Sequence, residues 1–453
     1  MSYKAQRIYS EEILTANEFT QRYPKYFGVI DLLIIGACML GDRLLGSNLL
    51  VYFLAVYLVV RILVSTSDYA YVLLLLLIPS VGIMHISILG TSIPIVNMLI
   101  CIALVRVVIE YFTITISRKY LVIIGFVLAY EWSHALYYGL KSMMLLVSWS
   151  CAVLYAALFI LNAKKTYNHK ITTKYFLAGV CLSIVYGVLD FYMIYGTLMT
   201  NNMTIRFKGG AGDPNYFSMY IMIAIFSMLY LVHKESNKVN KIIYPLVVVI
   251  LILFGVLSLS RMFLIVMVLL MVVLVTIVLC RMKKNKKLLF FIVGASVFPF
   301  LLSIYYNEEF SAIFNLLFSR FTNYMNDPSA LTSNRNVLAE QYIGLMLSNP
   351  HYTIFGMGIQ DYHLRSGLIP LEAHNIILEL FIVWGIVGYF VFMLFITTLM
   401  KYVDVKNKRL RKNILGWLPI ICMGFSYMSI NAMSTESFFI LLVFAIKNIN
   451  AYE

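Results

Sequence analysis

Acidic residues are scarce in this chain. Asp and Glu together number 21 among 453 residues, against 35 Lys and Arg. Cysteines number six, at positions 38, 101, 151, 181, 280 and 422, all within or at the ends of apolar runs. They form no CxxC and no Cys/His ligand spacing, which argues against a structural zinc site. No internal repeat of fixed period appears. Low-complexity linkers, a nucleic-acid module and a second soluble domain are also missing. Polar sequence itself is in short supply: the chain is 61% hydrophobic, with a mean hydropathy of +0.86. Soluble domains are about 45–50% apolar, so the composition reads as a polytopic membrane protein, all-α, forming one membrane domain over 1–453.

Apolar runs suited to spans lie at 27–41, 49–64, 69–88, 94–112, 120–139, 143–161, 175–195, 215–232, 242–259, 262–280, 288–306, 373–400, 414–430 and 437–449. A helix needs about 20 residues to cross the hydrocarbon core, and the runs predict about 14 transmembrane helices, within a range of 12–14. The first 26 residues are polar and charged, so the first span is expected to act as an uncleaved anchor.

The net charge of +14 follows from membrane topology rather than from a nucleic-acid partner. With the N-terminus inside, Lys and Arg divide 25 to 8 in favour of the cytoplasmic loops, as the positive-inside rule requires. Both termini are then cytoplasmic. Residues 307–372, the longest stretch without a span, form one large extracytoplasmic loop. Within it, Glu308–Phe321 has apolar residues at helical spacing and reads as an interfacial helix. Asn334–Ser348 reads as a second helix, capped by Ser333 or Asn334 and ended by Asn349-Pro350. Phe355-Gly356-Met357-Gly358 reads as a tight turn. An outward site lies away from ATP and nucleotide sugars. Its substrate must arrive already activated, as a lipid-linked one does.

The few outward cations gather in loops of related kind: Arg206 and Lys208 before the eighth span, Arg261 between the ninth and tenth, Arg335 and Arg365 in the long loop. Singly, each reads as a headgroup-facing side chain. As a set they read as a pocket for an anion, because the guanidinium fork matches phosphate oxygens. His374 stands at the start of a membrane-edge helix, and Glu379 lies five residues on, inside the membrane, where a carboxylate is a functional candidate by default. Asp213-Pro214-Asn215 also suits a plain helix N-terminus. Glu131 and His134, at i and i+3, read as a structural pair, and Arg61 and Arg106 as snorkelling cations.

Four pieces taken in order resemble the O-antigen polymerase and ligase superfamily, most closely the Wzy-type polysaccharide polymerases. They are Arg206–Phe217 (RFKGGAGDPNYF), Ser258-Leu259-Ser260-Arg261, Ser333-Asn334-Arg335 with its helix and the Phe355–Gly358 turn, and Ala373–Glu379 (AHNIILE) followed by Gly385 and Gly388. The resemblance covers about residues 175–400. It implies a GT-C-like helical glycosyltransferase of the bacterial cytoplasmic (inner) membrane. Donor and acceptor would be undecaprenyl-diphosphate-linked oligosaccharides, and the product an O-antigen or capsule. No cofactor and no metal would be used. Membrane lipid, a chain-length regulator and a flippase are the further partners implied, and no nucleic acid. Carried onto this sequence, the acting residues are His374, Arg206, Arg261 and Arg335.

Chemistry fits that resemblance. A departing diphosphate needs positive charge aimed at it, and a sugar hydroxyl needs a base near neutrality. The catalytic set is therefore His374, Arg335 and Glu379. The substrate-binding set is Arg206, Lys208, Arg261, Arg335, Asp213, Asn215 and Asn375. Two alternatives stay open: the ligase of the same superfamily, which moves the glycan to lipid A-core or another acceptor, and a lipid-linked oligosaccharide flippase. Against the flippase, the unusual charge gathers in one outward loop rather than along paired broken helices.

Overall fold

In hydrocarbon a backbone must satisfy its own hydrogen bonds, and only a helix does so within one segment. The computed structural model follows that rule. It describes residues 28–88, 91–111, 117–140, 142–162, 168–197, 205–234, 237–269, 315, 334–360, 372–402, 414–432 and 435–451. The described helices are α1 (28–45), α2 (Leu49–Val64), α3 (Ser67–Leu77), α4 (Ile95–Tyr111), α5 (Arg118–Tyr138), α6 (Met143–Asn162), α7 (His169–Tyr195), α8 (Pro214–Lys234) and α9 (Lys238–Leu257). They continue with α10 (261–269), α11 (Arg335–Ser348), α12 (Pro350–Phe355), α13 (Ile376–Tyr402), α14 (Ile414–Tyr427) and α15 (Glu436–Ala451). The expected Glu308–Phe321 helix, the span at 288–306 and most of that at 262–280 lie outside the described residues.

Large apolar side chains stand on the bundle's outer surface; Leu49 is 75% exposed and Leu136 83%. Lipid, not water, is the environment in which such a surface is stable, and the chain is an integral membrane protein. Four described helices are long and apolar enough to cross a bilayer: Arg118–Tyr138, Met143–Ile160, His169–Tyr195 and Ile376–Met400. Six further apolar helical stretches among the described residues run 10–17 residues, which leaves the expected count of about 14 spans unconfirmed. Helix α2, at about 1.5 Å per residue, falls short of a core about 30 Å thick.

One expected span is corrected. The run at 69–88 is helical only to Ser80, where a 3₁₀ turn (Ile78–Ser80) holding Pro79 ends it. Pro lacks the N–H that would continue the helical ladder, and the Pro79 carbonyl instead accepts from the Ser183 hydroxyl at 2.7 Å. The chain then forms a hairpin, β1 (His85–Ile88) with β2 (Thr91–Pro94), antiparallel with His85 opposite Pro94. Arg61 does not merely snorkel either. Its Nε donates to both oxygens of buried Asp31 at 3.0 and 3.1 Å, and Tyr57 and Tyr69 donate to the same carboxylate.

Helix α8 is central: it packs against α7, α9 and α14. Elsewhere in the core α6, α13 and α15 meet through aromatic rings, with Trp149 edge-on to both Trp384 and Phe439 at 5.7 and 5.9 Å between centroids. Helix α13 is broken at Gly385, whose angles (φ 63°, ψ −167°) are not helical. The Phe355–Gly358 turn docks at that break, and so fixes where α11 and α12 sit.

Candidate functional site

Four chain segments arrive at one end of the bundle. The first is 205–213, which leads into α8. Asp213 Oδ1 accepts from the backbone N–H of Asn215 at 2.7 Å and of Tyr216 at 3.2 Å, an N-cap that satisfies donors the helix cannot. Arg206 is pinned just upstream. Its Nε donates to the Ser258 carbonyl at 3.0 Å and its terminal nitrogen to Asn215 Oδ1 at 3.0 Å. The Ser260 hydroxyl donates to the same Asn215 oxygen at 3.2 Å. Arg206, Asn215 and the Ser258–Arg261 turn are thereby one unit.

Leu259 lies inside that turn with φ 49°. Asn334, immediately before Arg335, has φ 61°, and His374 has φ 48°. These are the non-glycine residues with positive φ among those described, and each belongs to one of the converging segments. For leucine and histidine this region costs about 1–3 kcal/mol. Strain of this kind persists where the surroundings over-determine it, and it gathers at functional sites. Asn334 adopts the left-handed form and makes no side-chain capping bond, contrary to the expected cap; Ser333 lies outside the described residues.

His374 is held through its backbone: its N–H donates to Asn431 Oδ1 at 2.9 Å. Asn431 is buried, and its carbonyl accepts from the Tyr216 hydroxyl at 2.9 Å. Asn375 caps α13, its Oδ1 accepting from the N–H groups of Ile377 and Leu378. Glu379 is fully buried one turn along. Its Oε2 accepts from the Ala432 N–H at 2.7 Å, next door to Asn431. That bond ties Glu379 to the segment that fixes His374.

Arg335, Arg261, Asp213 and His374 interact electrostatically. Arg335 lies on α11 and His374 ahead of α13, both outside the spans. Burial lowers the tendency of Arg335 to stay charged, the charge of Arg261 lowers it further, and Asp213 opposes both. Repulsion from Arg261 exceeds attraction to Asp213, so the field from these two neighbours at the Arg335 guanidinium favours an anion. His374 is pushed below its usual range by burial first and by Arg335 second, with Asp213 opposing. Its imidazole is consequently a neutral acceptor near neutral pH. Burial, with Glu372 and Glu379 nearby, raises the Tyr342 phenol and keeps it a hydrogen-bond donor.

Arg335, His374 and Asn375 form the polar corner of a cavity of about 460 Å³. Apart from Thr353, its remaining wall is apolar, including Ile343, Leu347, Ile377 and Phe381. Ile343, Leu347 and Ile377 are themselves exposed. The site can receive an amphiphile: an anionic group at the corner and a hydrocarbon chain along the wall.

Of the residues singled out from sequence, Arg335, His374 and Asn375 share the cavity, and Arg261 and Asp213 are close enough to act on Arg335. Arg206 and Asn215 brace the adjoining turn. Lys208 is exposed and is not part of the cavity wall. Arg320 and Arg365 lie outside the described residues. Asn431 and Tyr216 escaped the sequence reading. The available signal was the polar break around Ser429–Thr435 between two apolar helices. Among the described residues, no three His, Cys, Asp or Glu side chains gather as a metal would need.

Comparison with known proteins adds one match. Residues 246–393, about a third of the chain, match the family model described as O-antigen ligase. That segment holds Arg261, Arg335, His374, Asn375 and Glu379; Arg206, Lys208, Asp213 and Asn215 precede it. No curated protein and no solved structure matches the chain.

Proposed function

We propose that this chain, residues 246–393 of which match the O-antigen ligase family model, is a membrane glycosyltransferase that polymerises lipid-linked oligosaccharide repeat units into a surface polysaccharide. Donor and acceptor are undecaprenyl-diphosphate-linked, and transfer takes place on the outer face of the cytoplasmic membrane. The observation that carries this reading is the meeting of Arg335 and His374 at the charged corner of an otherwise apolar cavity.

The acceptor sugar's hydroxyl oxygen attacks the donor's anomeric carbon. The bond from that carbon to the phosphate oxygen breaks, and the lipid diphosphate leaves with the electron pair. His374 takes the hydroxyl proton, which its neutral state permits. Arg335 and Arg261 face the diphosphate as its charge grows, the kind of electrostatic stabilisation that contributes most when water is excluded. Arg206 and Asn215 keep the Arg261 turn in place, and Lys208 adds positive charge to the segment that leads into α8. Asp213 moderates the repulsion between Arg261 and Arg335. Asn375 sets the start of α13. We assign Glu379 to the support of His374, because its carboxylate holds the Asn431–Ala432 segment.

The match to an O-antigen ligase model favours a second reading, transfer of the finished glycan to lipid A-core or another acceptor. Purified protein in lipid vesicles, given one synthetic lipid-diphosphate oligosaccharide, separates the readings. A ladder of products with release of lipid diphosphate supports polymerisation. Transfer only when a lipid A-core acceptor is added supports the ligase. Movement of the substrate between leaflets without glycosidic bond formation sinks both.

A further inference from the structure

The sequence reading left Glu131 and His134 as an ordinary structural pair, yet both grip the segment that carries the site. Helix α13 breaks at Gly385, one residue after Trp384. The break frees the carbonyls of Ile382 and Val383, and these accept from the N–H groups of Met357 and Gly358 at 2.9 and 2.8 Å. Such close backbone approach needs glycine. A Cβ on Gly356 (φ 86°) would lie 2.3 Å from the Val383 oxygen, and one on Gly385 2.4 Å from the Ile354 oxygen.

Helix α5 closes the other side of this strap. Glu131, fully buried, accepts from the Ile359 N–H at 2.8 Å with one oxygen and from Trp384 Nε1–H at 2.6 Å with the other. The Tyr138 hydroxyl donates to the Gly356 carbonyl at 2.9 Å. The Tyr130 hydroxyl lies 2.8 Å from the carbonyls of both Phe355 and Trp384. His134, 5% exposed, has Nδ1 at 2.8 Å from the Tyr130 carbonyl and Nε2 at 2.8 Å from the Phe355 carbonyl. The ring therefore sits between two carbonyl oxygens, with the Glu131 carboxylate on the preceding turn. A Cβ on Gly358 would lie 2.7 Å from His134 Cβ and 3.3 Å from Glu131 Oε1, so both side chains flank the same residue of the strap. Tyr130 and Tyr138 also face the ring, and His351 lies against Tyr138 from α12.

We infer that Glu131 and His134 are positioning residues for glycan transfer: they latch the Phe355–Gln360 strap into the broken helix and so hold Arg335 in register with His374. The strap follows α11 and α12 directly, and α13 begins just after His374. Release of the latch frees one wall of the cavity from the other. The role in transfer rests on the glycosyltransferase reading above; the latch itself does not.

The test reads both levels in full-length protein in nanodiscs. Amide hydrogen exchange at Met357, Gly358 and Ile359 is measured for wild type, His134→Gln and Glu131→Gln, alongside transfer from a lipid-diphosphate oligosaccharide. Each variant is expected to speed exchange of these three amides about tenfold or more, because it leaves a buried group unpaired, while the amides of α6 stay protected. Transfer should fall about tenfold in the same variants. Unchanged strap protection in both variants overturns the latch. Lost protection with unchanged transfer overturns the positioning role. If wild type forms no glycosidic bond with any acceptor, the transferase reading falls and the positioning role with it, and the exchange data still judge the latch.

Discussion

The backbone N–H of His374 donates to Oδ1 of Asn431 at 2.9 Å, across 57 residues of sequence. His374 is in the left-handed region, with φ 48°, a conformation a histidine does not hold unaided. Asn431 holds that backbone in place. Asn431→Ala should therefore lower glycan transfer about fivefold to tenfold, in line with about 1 kcal/mol for a lost hydrogen bond plus the orphaned N–H. Membrane level should stay near wild type. Quantified product ladders against protein on a blot check this, and full activity would remove Asn431 from the account.

Asp213 opposes the burial and the Arg335 charge that depress His374. Asp213→Asn keeps a side-chain oxygen for the helix cap but removes the negative charge. With neutral His374 as the proposed base, activity should rise with pH through its titration. Without Asp213 the imidazole is depressed further, and the acid limb of the pH–rate profile should move to lower pH. A shift to higher pH would contradict the assigned sign.

Arg335→Lys keeps a positive charge but loses the planar fork suited to a diphosphate. Transfer should fall about tenfold or more, the cost of one lost charge-assisted hydrogen bond being about 1.5–3 kcal/mol. Arg335→Ala should be worse, and any residual activity should show its acid limb displaced upward, because a cation that depresses His374 is gone. Steady-state kinetics across pH for both variants test this.

Ala339 lines the apolar wall of the cavity. Ala339→Trp should narrow it and raise the KM for a long polyprenyl carrier severalfold, since filled space can no longer bury apolar chain at about 25 cal/mol per Å². A substrate with a short lipid should be affected less. Equal loss with both lipids would place the hydrocarbon chain elsewhere.

Much of the helix pattern was legible because it depends on local sequence. Apolar runs such as 143–161 and 414–430 appear as α6 and α14, with ends moved by a few residues. The run at 69–88 misled because apolar β-branched residues suit a strand as well as a helix, and the reversal after Pro79 left 85–94 to pair with itself. Arg335 and His374 could be singled out because cations in loops that the charge bias predicts to be outward, and a histidine at the edge of an apolar run, are unusual where they stand. Their meeting in one cavity depends on how α11 packs on α13, which residue types do not encode. Nor did the sequence disclose the break at Gly385, where glycine also suits ordinary helix packing. Glu131 and His134 at i and i+3 gave a pair; that their partners are the backbone of residues 355–359 is a contact across more than 200 positions.

The central claim is that Arg335 and His374 act together in glycan transfer at one site. Its most direct measurement is surface glycan on a gel from cells carrying His374→Ala or Arg335→Ala, with the membrane level of each variant measured alongside. Collapse to a single repeat unit is expected while the protein is still made. Full-length glycan at normal protein levels in both variants would contradict it.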